Sequence, residues 1–275
     1  MSGILKIQEM KYDRASGVPA YESFEFLPKQ REYCVLIPII NEGNRIIHEL
    51  ERAQSAQISD YADIVICDGG STDGCTEHER LQQLGVNTLL VKQDSGKQGA
   101  QLRMGFSWAL DRGYKGFITI DGNDKDSIED VPAFIAKLEE GYDLVQGSRF
   151  VKGGHAENTP MARWLAVRFI HAPIISLTAG HWYTDTTNAY RAYSRRYLEH
   201  PDVQPLRDVF AGYELLAYLS VRANQLGLKG CEIPVSRIYP KGEKVPTKIS
   251  KWSGNADLFK ILFNNLFRKY HVKGV

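Results

Sequence analysis

Cys34-Val35-Leu36-Ile37-Pro38-Ile39-Ile40 runs for seven residues without a charged or amide side chain and stops at Asn41-Glu42-Gly43. A strand with one wet face alternates apolar and polar residues. A run that is apolar at every position must be covered on both faces, as a central strand of a parallel sheet is. The residues that follow, Ile46, Ile47, Leu50 and Ala53, have helical spacing. The beat then repeats: strands are predicted at Asp63–Cys67, Thr88–Val91, Gly116–Ile120 and Leu144–Gly147, and helices at Cys75–Leu84, Gly99–Leu110 and Val131–Glu139. Strands alternating with helices imply an α/β chain with a mostly parallel sheet flanked by helices. Residues 1–32, broken by Gly17, Pro19 and Pro28, are predicted as an N-terminal extension, and the regular domain as starting at Tyr33.

Composition narrows the function classes. Hydrophobic residues make up 43% of the 275 and charged ones 24%, which excludes disorder, a collagen-like chain and a small disulfide scaffold. Lys and Arg number 34 against 33 Asp and Glu, a net charge of +1, so nucleic acid is not expected as a partner. Met1 to Asp13 lacks the basic start and apolar run of a signal peptide, and a cytoplasmic chain is expected. The longest stretch free of formal charge, between Arg168 and Asp185, is roughly 16 residues, short of the about 20 that span a bilayer. Cys34, Cys67, Cys75 and Cys231 have no metal-ligand spacing and are read as free thiols.

In an open parallel sheet, ligands bind beyond the carboxyl ends of the strands. The polar residues at those ends are Pro38 to Glu42, Asp68 to Asp73 and Asp121 to Asp126. Neither a GxGxxG nor a GxxxxGK[ST] loop is present, which disfavours two common nucleotide folds. Asp121-Gly122-Asn123-Asp124-Lys125-Asp126 instead puts three carboxylates and an amide after a buried strand, oxygen ligands suited to Mg²⁺ or Mn²⁺ with a substrate's phosphates.

Six motifs in order carry a resemblance: Ile37 to Glu42, Asp68-Gly69-Gly70-Ser71-Thr72-Asp73-Gly74, Gly96-Lys97-Gln98-Gly99-Ala100, Asp121-Gly122-Asn123, Gly147-Ser148-Arg149-Phe150, and Asp185-Thr186-Thr187-Asn188-Ala189-Tyr190-Arg191-Ala192-Tyr193. Over roughly Tyr33 to Lys251 they resemble the family 2 glycosyltransferases with the GT-A fold, and most closely the dolichyl- or polyprenyl-phosphate mannosyltransferase branch. The resemblance implies a nucleoside diphosphate sugar donor held by Pro38, Asn41, Glu42, Asp68, Lys97, Asp121 and Gly122 in residues 33–150. It implies an acceptor-side annex over 151–251, inversion at the anomeric carbon, and a metal on Asp121, Asn123 and Asp126. The usual Asp-x-Asp reads Asp121-Gly122-Asn123 here, one negative charge fewer.

The acceptor decides what catalysis requires. A phosphate monoester is already anionic, whereas a sugar hydroxyl must lose a proton. Arg149 and Arg163 match positions that face the acceptor phosphate in the lipid-phosphate branch, and Arg237, Lys248 and Lys251 lie in a basic loop where that branch has a lid. Asp121, Asp185 and Arg149 are the expected catalytic residues, Asp185 as base if the acceptor is a hydroxyl and otherwise as a cap or a buried partner of Arg191. A polyprenyl phosphate acceptor is expected, with a saccharide hydroxyl in cell-surface polysaccharide synthesis as the runner-up. A nucleotidyltransferase or a non-catalytic nucleotide-sugar-binding module stands as the alternative from another class. Leu258, Phe259, Ile261, Leu262, Phe263, Leu266 and Phe267 give residues 252–275 an amphipathic helix, read either as lying in a membrane interface, making the protein peripheral at the inner face, or as docked on the protein or on a second subunit.

Overall fold

The computed structural model of the chain describes residues 17–240 and 253–272. In chain order the strands are β1 (Tyr21–Glu25), β2 (Tyr33–Ile39), β3 (Asp63–Asp68), β4 (Val86–Lys92), β5 (Gly116–Thr119), β6 (Leu144–Ser148), β7 (His155–Glu157), β8 (Arg191–Ser194), β9 (Gly230–Pro234) and β10 (Ser236–Ile238). The helices are α1 (Asn44–Ser55), α2 (His78–Gln83), α3 (Gln98–Asp111), α4 (Val131–Glu139), α5 (Met161–Ala166), α6 (Ala172–Ala179), α7 (Arg195–Leu198), α8 (Glu214–Gln225) and α9 (Ser253–Leu266).

Eight of the described strands form one sheet in the order β1-β4-β3-β2-β5-β8-β6-β9, and β7 pairs with β10 apart from it. The strand that opened the sequence argument lies near the middle and is dry on both faces. Cys34 and Leu36 pack with α3 and α8 residues, including Leu102, Phe106 and Leu219. Val35, Ile37 and Ile39 pack on the other side with Ile46, Ile47 and Leu50 of α1 and Phe134 of α4. Pro38 is tolerated inside β2 because the ladder to β5 ends at Leu36 and Thr119, so no partner strand awaits its missing N–H.

Two expectations are corrected. Tyr21–Glu25, placed in the extension, is an antiparallel edge strand on β4. The second half, expected as an annex without a strand beat, contributes β8 and β9 to the main sheet. β8 inserts between β5 and β6 and runs antiparallel to both. An antiparallel strand begins where its neighbours end. The segment just before β8 therefore arrives beside the carboxyl ends of β5 and β6, and this topological fact assembles the site.

Candidate active site

The turns after β2 and β3 are laced together. Asn41, at a φ of 51°, donates its backbone N–H to Ser71 Oγ (2.9 Å) and accepts from Thr72 N–H on Oδ1 (2.8 Å). Gly43 N–H donates to Asp73 (2.8 Å). Asp68 folds its own turn, accepting from the N–H of Gly70 (3.0 Å) and Ser71 (2.9 Å) and from Ser71 Oγ (2.5 Å). Glu42 pairs with Arg45 at 2.8 Å. The expected donor residues Asn41, Glu42 and Asp68 thus come together, while Pro38 is buried in β2 rather than in the turn. Lys97 is exposed and precedes α3, and Gly99 lets that helix start against the carbonyls of Phe210 and Gly212, where a Cβ would stand 2.4 Å from each.

Asp121 leaves the end of β5 and is held by α3: Gln98 Nε2 donates to its Oδ1 at 2.7 Å. Gly122 seats against Ile39, whose Cγ2 would lie 2.4 Å from a Cβ there. Asp124 pairs with Arg52 at 2.7 Å. The carboxylate of Asp126 is buried and binds Arg237, which also reaches Asp121 Oδ2 at 3.4 Å and Asn188 Oδ1 at 3.3 Å. Burial pushes the Asp126 carboxyl up, with Arg237 opposing.

Among the described residues no group of three or more His, Cys, Asp or Glu side chains is arranged to hold a metal. Two oxygens fit a hard cation: the partly exposed Asp121 carboxylate, and Asn123 Oδ1, which is buried without a hydrogen-bond partner. Asp126, expected as the third ligand, already has its charge met by Arg237, although its Oδ1 lacks a partner. It serves here as a salt-bridge partner.

The segment before β8 supplies the partners of two arginines. Asp185, fully buried, accepts from Arg149 Nε at 2.6 Å, Nη2 at 2.8 Å and the backbone N–H at 3.2 Å. Arg149 Nη1 is left buried and unpartnered. Burial works against the charge on Arg149, and Asp185 more than offsets it. Asp185 is therefore no open base, and its partner is Arg149 rather than Arg191. Arg191 instead donates to the carbonyls of Thr186, Asn188 and Leu216 and to Ser220 Oγ, locking the segment to α8. Glu232 of β9 accepts from the N–H groups of Thr184 (2.9 Å) and Asp185 (3.1 Å), fixing the segment from the other side.

Tyr239 gathers the cations. Arg163 of α5 donates to its hydroxyl at 2.9 Å, and Lys125 Nζ and the Arg237 guanidinium lie 5.4 and 5.7 Å from its ring centre. Burial pushes the phenol up, but Arg237, Arg163 and Arg149 outweigh it and hold its pKa below the ordinary value. Arg149, Arg163 and Arg237 thus converge as expected, whereas Lys248 and Lys251 lie outside the described residues. Sequence reasoning gave no role to Gln98, Lys125, Asn188 or Tyr239. A hydrogen-bond partner distant in sequence leaves no periodicity to read; the presence of Gln98 and Asn188 in motifs and of Lys125 in an acidic loop was the signal that marked them.

The sequence is 28% identical over 237 residues to the polyprenol monophosphomannose synthase of Mycolicibacterium smegmatis, covering 85% of this chain and 86% of that one. It is 28% identical to the undecaprenyl-phosphate mannosyltransferase of Micrococcus luteus, covering 73% and 81%. Glucosyl-3-phosphoglycerate synthase from Mycobacterium tuberculosis, solved with Mn²⁺, UDP and glucosyl-3-phosphoglycerate, shares the fold with a TM-score of 0.56 at 16% identity, over 85% of this chain and 77% of that one. The fold is GT-A, as the motif order implied. The family model for glycosyl transferase family 2 matches residues 34–200, which sets aside the nucleotidyltransferase and the binding module: the chain is a glycosyltransferase and belongs to family 2.

Proposed function

We propose that the enzyme transfers a hexose from a nucleoside diphosphate sugar to a polyprenyl phosphate, with inversion, at a membrane surface. One observation carries this reading: Arg163, which belongs to the cation cluster, sits on a helix that also exposes Met161 and Leu165, with Phe169 just beyond it. An anion site bordered by exposed apolar side chains suits an acceptor that joins a phosphate to a hydrocarbon chain. A cleft of about 310 Å³ lined by Ala156, Asn158, Thr159, Met161 and Trp164 adjoins it.

Asn41, Glu42 and Asp68 form the nucleoside side of the donor site, with Lys97, Asp121 and Gly122 toward the diphosphate. A divalent cation, when bound on Asp121 and Asn123, would neutralise charge on the leaving diphosphate. Arg149, oriented by Asp185, directs its unpartnered Nη1 to the acceptor phosphate, and Arg163 and Arg237 complete its neutralisation. No base is needed, because a phosphate monoester attacks as an anion, and this agrees with Asp185 being buried on Arg149.

The test is transfer from a panel of labelled nucleoside diphosphate hexoses to polyprenyl phosphate in detergent micelles, beside soluble saccharides as acceptors. Label should appear in an organic-extractable, mild-acid-labile product. Label confined to water-soluble saccharide would overturn the reading.

A further inference from the structure

Lys125 has no role in the reading so far, yet its position is unusual. The side chain is only 5% exposed. Its ammonium donates no hydrogen bond to any described residue and forms no salt bridge with one; its described side-chain partner is the face of the Tyr239 ring. An ammonium has three donors to satisfy, and a π-face satisfies none of them in the way an oxygen would, so Lys125 Nζ is free to take an anionic ligand at the open edge of this largely buried loop. Nearby carboxylates form no ion pair with it: Asp121 accepts from Gln98 and reaches Arg237 at 3.4 Å, and Asp126 pairs with Arg237.

The side chain is not there by looseness of the loop. Lys125 O accepts from Ile238 N–H (2.8 Å), Asp126 bridges to Arg237, and Ser127 N–H donates to Ser236 O (3.1 Å). The backbone is thus clipped to β10, which sets Lys125 beside Arg237 across the bridge. Around Tyr239, four cations (Lys125, Arg149, Arg163 and Arg237) face three carboxylates (Asp121, Asp126 and Asp185), a surplus of one positive charge, and neither Lys125 Nζ nor Arg149 Nη1 donates a hydrogen bond to a described residue. This surplus stands at the carboxyl end of β5, in the same loop as Asp121.

We propose that Lys125 binds the donor diphosphate directly, so that the nucleoside diphosphate is held even without a divalent cation. The proposal rests on the donor-site reading above and adds to it a phosphate ligand in the loop. It asks nothing of the metal: Asp121 and Asn123 remain available to one, and the ammonium supplies charge independently.

The experiment is calorimetric titration of GDP and of UDP into the whole enzyme, in excess EDTA and again with Mg²⁺, for the wild type, Lys125→Gln and Lys125→Arg. For the nucleotide that binds, wild-type affinity should change by less than about tenfold on chelation, as expected when resident cations carry the phosphate. Lys125→Gln should lose about tenfold or more in EDTA, and Lys125→Arg should retain most of the affinity. Wild-type binding abolished by EDTA would overturn the proposal and leave the donor reading intact, and it needs no variant to fold. A folded Lys125→Gln that binds like the wild type in EDTA would overturn it too. Failure of both nucleotides to bind under every condition would overturn the donor reading with it.

Discussion

At the residue scale the site depends on guanidinium groups whose orientation is set by buried carboxylates. Arg149 uses Nε and Nη2 on Asp185 and keeps Nη1 without a partner among the described residues. A lysine ammonium lacks the planar fork that pairs with both oxygens of Asp185 while aiming a further donor in a fixed direction. Arg149→Lys should therefore lower kcat/KM for polyprenyl phosphate by about 100-fold, a loss of about 3 kcal/mol typical of a charge-assisted contact, while nucleoside diphosphate affinity moves little; steady-state kinetics and calorimetry separate the two. Asp185→Asn should act in the same direction through Arg149 and also lower the melting temperature, because it strands a buried charge. These pairings explain why Asp185, singled out from its motif as a base, takes another part. Its residue type was legible, but whether a carboxylate faces solvent or an arginine depends on a partner 36 positions away.

At the element scale, the stretch between α5 and α6 shows how local sequence and packing divide the work. Val167–His171 forms a π-helical turn between the two helices and leaves His171 half-buried, its Nδ1 2.6 Å from Thr186 Oγ1. Burial first, and the charge of Arg191 second, lower its pKa to about 4. An unfolded histidine titrates near about 6.5, so below that pH the unfolded chain takes up a proton that the folded chain refuses. The stability tied to His171 is fully present above about pH 6.5 and is lost as pH falls toward about 4. Urea denaturation should show a loss of about 2 kcal/mol from this group between about pH 7.5 and about pH 5, absent in His171→Gln. Buried Glu49 and Asp126, whose pKa values are raised, act in the opposite direction in both proteins and cancel from the comparison. Periodicity predicted α1 and α4 closely because one apolar face repeats within each, whereas α3 is buried almost all round and was marked by its length and position between strands. β8 has only four residues, and its place between β5 and β6 follows from pairing across the chain.

For the molecule as a whole, the question is which surface meets the acceptor. No helix among the described residues is long and apolar enough to cross a membrane. The helix α9 docks one face on the protein and leaves another exposed. Ile261 and Leu262 are buried against the neighbouring helices, while Phe259, Phe263 and Phe267 stand exposed at helical spacing, Phe267 at 66%. Phe169 at 68%, Leu177 at 77% and Trp182 at 68% add apolar surface in and around α6, which packs on α9. A membrane interface would cover such side chains, each contributing in proportion to its area. Phe263→Glu with Phe267→Glu should reduce co-sedimentation with anionic lipid vesicles by about tenfold or more, with the melting temperature nearly unchanged because neither ring belongs to the core. Unaltered vesicle binding would remove α9 from the contact surface.

The dry central strand, the alternation around it and the acidic turns at strand ends follow from side-chain chemistry over a few residues, and so the α/β sheet and the general place of the site were legible before any coordinates. Motif order added the family. The tertiary structure decided what each charged side chain does. It turned Asp126 toward Arg237, buried Asp185 on Arg149, and set Lys125 against Tyr239 with no hydrogen bond to a described residue. The physical reason is that burial follows from short-range periodicity, whereas the state of a charge follows from whichever groups the fold brings within a few ångströms of it, and in this chain those groups come from segments far apart in sequence.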